Sequence, residues 1–167
     1  MKIQPLFRVA DISDLPEIVS IYNSTVASRM VTADTEPVTV ESRKAWFKAH
    51  DSARRPLWVI VLHERIAGWI SYQSFYGRPA YNGTIELSIY LHSDFRGKGL
   101  GSKALDYAIS RAGDYHVKAM IGIIFSHNIP SLRLFETKGF KHWGALPEIA
   151  EIDGKKLSVT ILGKHLD

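Results

Sequence analysis

The clearest chemistry in this sequence lies between Thr84 and Ser102, Thr84-Ile85-Glu86-Leu87-Ser88-Ile89-Tyr90-Leu91-His92-Ser93-Asp94-Phe95-Arg96-Gly97-Lys98-Gly99-Leu100-Gly101-Ser102. It reads as a strand, a glycine-rich turn and the start of a helix. Such a turn exposes several backbone N–H groups at the positive end of a helix, where a phosphate or pyrophosphate binds. Gly97, Gly99 and Gly101 let the backbone approach an anion without Cβ clashes, and Arg96 and Lys98 add charge at the rim. Two phosphate-loop patterns fail. A P-loop needs G-x-x-x-x-G-K-[ST], but Lys98 is followed by Gly99 and the first glycine is missing. A dinucleotide fingerprint needs G-x-G-x-x-G, whereas the spacing here is G-x-G-x-G. What is present is Arg-x-x-Gly-x-Gly, Arg96 to Gly101, which by itself also fits an ordinary strand-to-helix turn. Just upstream, Glu86 sits among Ile85, Leu87 and Ile89, placed either to take a proton or to face water by alternation.

Elements on either side must position these groups. Asp14-Leu15-Pro16-Glu17 reads as a helix start capped by Asp14, followed by Leu15, Ile18, Val19 and Tyr22 at helical spacing. Thr39 caps a second helix carrying Trp46 and Phe47. Leu57–Leu62 and Ile66–Gln73 read as strands joined by His63-Glu64-Arg65, and Phe75–Gly83 as a loop. Thr84–Leu91 is a strand, and a helix runs from Leu100 with Leu105, Ala108, Ile109 and Ala112 on one face. Val117–Phe125 is an unbroken apolar run, as in a buried central strand. Ser131–Lys138 is a short helix ended by Gly139, and Trp143–Leu146 and Leu157–Leu162 are tail strands about an Asp153-Gly154 turn. The order implies one domain, 1–167, of α+β (mixed α/β) class.

Composition narrows the function. The chain has 167 residues, 46% hydrophobic and 23% charged, which is globular and excludes wholesale disorder. With no Cys, disulfides, thiolate metal sites and cysteine nucleophiles are impossible. Seven His residues show no metal-ligand spacing, so no metal is expected. No apolar run is long enough to span a membrane, and Met1-Lys2-Ile3-Gln4-Pro5 lacks a signal-peptide core, so a cytoplasmic location is expected. Net charge is +4. The basic residues form no run or helix-face cluster, so no nucleic-acid partner is expected; the excess suits an enzyme holding an anionic cofactor.

A second segment follows the buried strand: Asn128-Ile129-Pro130-Ser131-Leu132-Arg133-Leu134-Phe135-Glu136-Thr137-Lys138-Gly139-Phe140. With Arg96–Gly101, in this order and separation, the sequence resembles the GNAT superfamily of acetyl-CoA-dependent N-acetyltransferases. Ile21-Tyr22-Asn23, Asp34–Thr39, Arg43–Phe47 and Thr84–Tyr90 look like its phosphinothricin and methionine sulfoximine N-acetyltransferase branch. Similarity runs from about Arg8 to Leu162. The resemblance implies a central, mixed, mostly antiparallel sheet flanked by helices. It also implies acetyl transfer to the primary amine of a small amino-acid-like molecule by direct attack in a ternary complex, and a homodimer.

It assigns roles residue by residue. Glu86 is the general base. Ile89, Tyr90 and Leu91 offer backbone groups to the pantetheine arm of acetyl-CoA, and Arg96, Gly97, Lys98, Gly99, Leu100, Gly101 and Ser102 wrap the pyrophosphate. Asn128 hydrogen-bonds the pantetheine arm, with Ser131 and Phe135 beside it. Arg78 and Tyr76, on the loop beside the reacting strand, together with Met30, Glu86, Leu87 and Ser88, contact the acceptor. Three positions depart from the pattern. Phe135 stands where many members carry Tyr, and this branch often His, to protonate the leaving thiolate; Phe has no such proton. The thiolate then leaves unaided, or Ser131, Tyr90 or water supplies the proton. Ala33 replaces an aromatic, and Leu157-Ser158-Val159 replaces Trp-x-Asp, which bears on the acceptor more than on the reaction. The missing acid also admits a different class of function, a CoA-binding sensor with little activity.

Overall fold

The computed structural model describes residues 4–166; the sequence reading of the first three residues lies outside them. Seven strands form one sheet: β1 (Leu6–Val9), β2 (Leu57–Leu62), β3 (Arg65–Ser74), β4 (Thr84–Leu91), β5 (Ala119–Phe125), β6 (Lys141–Ile152) and β7 (Lys155–His165). Their order is β1-β2-β3-β4-β5-β7-β6. Every neighbouring pair is antiparallel except β4 and β5. Four helices flank the sheet: α1 (Leu15–Val26), α2 (Val40–Lys48), α3 (Leu100–Ser110) and α4 (Ile129–Thr137). The fold is the mixed α+β architecture that the sequence implies.

Strand alternation divides the core between two faces. Ile85 and Leu87 of β4, with Ile70 and Tyr72 of β3, pack against Leu100, Ala104 and Leu105 of α3 and Phe135 of α4. On the opposite face Ile18 and Ile21 of α1 pack against Val59 of β2 and Trp69 of β3. Each such fully buried Leu, Ile or Val contributes about 1.5–3 kcal/mol. Glu86, Ser88 and Tyr90 alternate with the apolar set, so they fall on the α1/α2 face.

One break in the sheet matters most. β4 pairs with β3 along its length, out to Leu91 opposite Gly68. With β5 it pairs only at Thr84–Ala119, Ile85–Met120 and Glu86–Ile121. β5 meanwhile continues beside β7 as far as Phe125 opposite Val159. Past Glu86 the two parallel strands therefore separate, and the β4 backbone that faces β5 has no strand partner.

The structure refines several sequence expectations. The first helix is not capped by Asp14. Asp11 caps a one-turn 3-10 helix ahead of it, and the Asp14 carboxylate accepts from the Arg8 guanidinium at 2.8 Å and the Asp11 N–H at 2.7 Å. Thr39 does cap α2, accepting from the Ser42 N–H. His63-Glu64 and Asp153-Gly154 are two-residue turns with positive φ at both positions, as two-residue hairpins require. α4 begins at Ile129, not Ser131, because Asn128 caps it and Pro130 occupies its first turn. β1, a short edge strand behind Pro5, has too few alternations to show in the sequence. The tail strands are far longer than the apolar segments suggest, because β6 is an edge strand whose exposed polar residues also pair.

Candidate functional site

The glycine turn joins the open side of β4 to α3. Gly97 and Gly99 have φ of +73° and +77°, the left-handed region that glycine adopts without strain. A Cβ on either would meet nothing within 4 Å, so the backbone there faces open space. Gly99 is the N-cap of α3 and no side chain caps that helix. Its first-turn N–H groups, including those of Leu100, Gly101 and Ser102, are thus available to an anion. Gly101 serves packing: a Cβ there would stand 3.2 Å from Leu134 and 3.6 Å from Leu91, so α3 sits tight against α4 and the end of β4. Arg96 donates to the Leu91 carbonyl from Nη2 at 3.1 Å and from Nε at 3.3 Å, closing the turn back onto the strand. The Lys98 ammonium lies 5.8 Å from the Phe95 ring centroid.

The residues present fit acetyl-CoA. Leu87–Leu91, occupied only at the Leu91 carbonyl by Arg96, offers an edge with no strand partner, the complement of an amide-bearing pantetheine arm. The glycine turn and the α3 N-terminus offer N–H donors to the diphosphate. Asn128 is buried, and its Oδ1 accepts the Ser131 N–H at 3.3 Å as the α4 cap, which leaves its side-chain NH2 as a donor. Ser131 is half-buried on the first turn of α4. Phe135 lies deeper. Its ring packs over Gly122 of β5, where a Cβ would come within 2.9 Å, and edge-on to Phe140 at 4.9 Å. Leu100 is buried in the core and contributes to the turn through its backbone alone.

On the α1/α2 face, beside Glu86, lies a cavity of about 200 Å³. That is below the roughly 300–1,000 Å³ of drug-sized ligand pockets. Glu86, Ser88 and Tyr90 of β4 and Trp69, Ser71 and Gln73 of β3 form its floor. Tyr22 of α1 and Arg43 and Trp46 of α2 form its walls. Tyr90 stacks on Trp69 with centroids 4.5 Å apart, and Trp69 meets Trp46 edge-on at 5.3 Å. The Arg43 guanidinium lies 4.7 Å from the Tyr22 ring centroid and donates to Asp34 at 3.0 Å; the Tyr22 hydroxyl also donates to Asp34 and meets Thr32. These bonds fix the aromatic wall. Glu86 is half-buried, and burial alone pushes its carboxyl above the usual carboxylate range, with no cation or hydrogen bond opposing it. Burial likewise raises the Tyr90 hydroxyl, which stays protonated.

Of the acceptor contacts expected from sequence, Glu86 and Ser88 line this cavity. Leu87 does not: its side chain is buried on the α3 face, where strand alternation sends it. Tyr76 and Arg78 are exposed on the β3–β4 loop, away from the cavity lining, with Tyr76 against Phe75. Met30 is half-buried just beyond α1, also outside the lining. The polar and aromatic side chains that do line it and that sequence reasoning missed are Tyr22, Arg43, Trp46, Trp69, Ser71 and Gln73, with Ile18, Val19 and Val38 beside them. Among the described residues no cluster of His, Asp and Glu has the makings of a metal site. No helix among them is long and apolar enough to cross a membrane.

Comparison with known proteins agrees with this geometry. The acetyltransferase (GNAT) domain family matches residues 6–141. A Bacillus subtilis protein named "Putative phosphinothricin acetyltransferase YwnH" is 52% identical over 95% of this chain and 98% of its own length. An L-methionine sulfoximine/L-methionine sulfone acetyltransferase of Pseudomonas paraeruginosa is 33% identical over 96% of this chain and 94% of its own. The crystal structure of a GNAT superfamily phosphinothricin acetyltransferase from Sinorhizobium meliloti in complex with AcCoA superposes with a TM-score of 0.91, at 25% identity, over 99% of this chain and 89% of that one. With a splayed β4–β5 pair, an uncapped glycine turn and these matches along nearly its whole length, the chain belongs to the GNAT acetyltransferase family.

Proposed function

We propose that this protein, as a single domain over residues 1–167, moves the acetyl group of acetyl-CoA to the primary amine of a small amino acid of the methionine sulfoximine, methionine sulfone or phosphinothricin kind. The observation that carries the reading is the unpartnered Glu86 carboxylate, in a small cavity on the strand where β4 leaves β5. Bound acetyl-CoA supplies an acetyl group activated as a thioester. The β4 edge and the glycine turn hold it so that the thioester lies next to the cavity. Glu86 takes a proton from the acceptor amine, directly or through water, as the nitrogen attacks. The aromatic walls exclude bulk water and position the acceptor. With no Cys there is no cysteine acyl-enzyme, and attack is direct within a ternary complex. Phe135 gives no proton to the departing thiolate. Tyr90, kept protonated by burial, Ser131 or water supplies it, or the thiolate leaves unaided, as a thiol of ordinary pKa about 8.5 allows.

The protein works in the cytoplasm and pairs with a second copy. Pairing is supported by apolar side chains left exposed on the sheet: Ile123 on central β5, and Leu146 and Ile149 on edge strand β6. Phe135 favours one other reading, a CoA-binding sensor; the open Glu86 cavity favours the enzyme.

Initial rates of thiol release with acetyl-CoA and methionine sulfone separate the two. The enzyme is expected to turn over and to need ionised Glu86. Because burial raises that pKa, kcat/KM falls on acidification through a limb above the ordinary carboxylate value of about 4.3. Binding of acetyl-CoA with no acetylation across a panel of amino acids would leave the sensor.

A further inference from the structure

One residue on the floor of the acceptor cavity belongs to a pair that the acetyl-transfer steps do not use. Ser71 lies on β3 directly across from Ser88 of β4, on the cavity side. Its hydroxyl is 2.7 Å from Nε2 of His50, which follows the end of α2. Nδ1 of the same ring is 3.0 Å from the Trp46 carbonyl oxygen. A carbonyl can only accept, so Nδ1 carries the proton and Nε2 is bare. Nε2 must then accept, and the Ser71 hydroxyl donates to it. Burial lowers the imidazole pKa, and the Trp46 ring stands edge-on at 4.8 Å, so the ring is held neutral in this tautomer.

A free serine hydroxyl can turn to donate or to accept. Here its one proton is committed to His50, so what Ser71, lining the cavity but only 1% exposed, can offer there is its lone pairs. The Trp69 N–H is tied to the Ile18 carbonyl, so it does not compete for what enters. Glu86 is the charged acceptor on this floor, which also holds the Ser88 and Tyr90 hydroxyls and the Gln73 amide. It sits opposite Gln73 in the β3–β4 register, which makes it the diagonal neighbour of Ser71. Diagonal residues on one sheet face are about 7–8 Å apart at Cα, a span that one nitrogen donating to both side-chain oxygens can bridge.

We propose that Ser71, oriented by His50, is the second acceptor that grips the nucleophilic nitrogen between itself and Glu86, and so selects amines over alcohols. An amine has protons for both oxygens. A hydroxyl has one, and giving it to Glu86 leaves Ser71 with no proton from the substrate and only the neighbouring Ser88 hydroxyl to turn toward it. An acceptor carboxylate would be repelled from this corner, which fixes which end of an amino acid enters. Ser71 touches substrate; His50 is a positioning residue that acts through it. This rests on the cavity being the acceptor site.

The test compares methionine sulfone with 4-(methylsulfonyl)butanoate, the same molecule without its amine, used as a competitive inhibitor. Ser71→Ala is expected to raise the methionine sulfone KM about tenfold. The inhibitor Ki and the acetyl-CoA KM should stay unchanged. Ser71→Thr, which keeps the hydroxyl, should restore most of the loss. His50→Phe should raise the acceptor KM in the same direction, and the double variant should be no worse than Ser71→Ala alone. Equal shifts in KM and Ki, or additive losses in the double variant, would overturn the proposal, because Ser71 would then not read the nitrogen or His50 would not act through it. If His50→Phe does not fold, the Ser71 comparison still decides. Wild-type protein that acetylates no amine would instead remove the acceptor reading of the cavity, and this inference with it.

Discussion

The proposed cofactor gap is mostly backbone from one stretch of chain, Glu86 to Ser102, joined by the Asn128 side chain at the start of α4, whereas the proposed acceptor cavity is made of side chains drawn mainly from α1, α2, β3 and β4. The first needs geometry: a strand edge without a partner, two glycines at positive φ and an uncapped helix end. The second needs identities: which aromatic, which hydroxyl, which partner holds each one still. A backbone site tolerates change in most of its side chains, so it suits a cosubstrate common to a whole family. A side-chain site changes with each substitution, so it is suited to choosing among acceptors.

If the halves are this distinct, each can be broken without the other. Glu86→Gln has the largest expected effect, because it removes the proton acceptor while keeping the shape of the cavity. Turnover at neutral pH should fall by about 10²–10⁴, the usual range for a positioned general base. Acetyl-CoA affinity by calorimetry should be nearly unchanged, since the carboxylate belongs to the acceptor side. A parallel loss of affinity would merge the two halves.

Gly99→Val should break the other half. A branched residue at φ +77° carries a cost of roughly 1–2 kcal/mol and tilts the N–H groups of the turn. The acetyl-CoA dissociation constant should rise about tenfold or more, with the acceptor KM unaffected at saturating acetyl-CoA. Unchanged acetyl-CoA binding would mean that the diphosphate rests elsewhere.

The same contrast explains what could be read from sequence. The glycine turn and Glu86 are visible because they are contiguous and their spacing is dictated by local backbone geometry. Asp153-Gly154 is legible for the same reason. The acceptor cavity is assembled by tertiary packing, and its parts are scattered. Tyr76 and Arg78 have suitable chemistry and adjoin the reacting strand, yet their loop leaves them in solvent. Leu87 stands between Glu86 and Ser88 in sequence and on the other face in space. A signal for the missed residues does exist. On β3, Trp69, Ser71 and Gln73 alternate with Ile70 and Tyr72, a polar and aromatic face behind an apolar one, on a strand that helices cover on both sides. Trp46 and His50, four apart around the end of α2, lie over that face. Only the fold shows that the two patterns meet. Asp14 is a further example: its capping pattern is local and correct in type, but the Arg8 guanidinium on β1 claims the carboxylate.

Amide hydrogen exchange with each ligand added separately tests the division most directly. Acetyl-CoA is expected to slow exchange at the gap-facing amides of Leu87–Leu91 and in the turn from Arg96 to Ser102, and methionine sulfone alone to leave both unprotected. Saturating acetyl-CoA that protects neither segment, with protection appearing elsewhere or nowhere, would contradict the account.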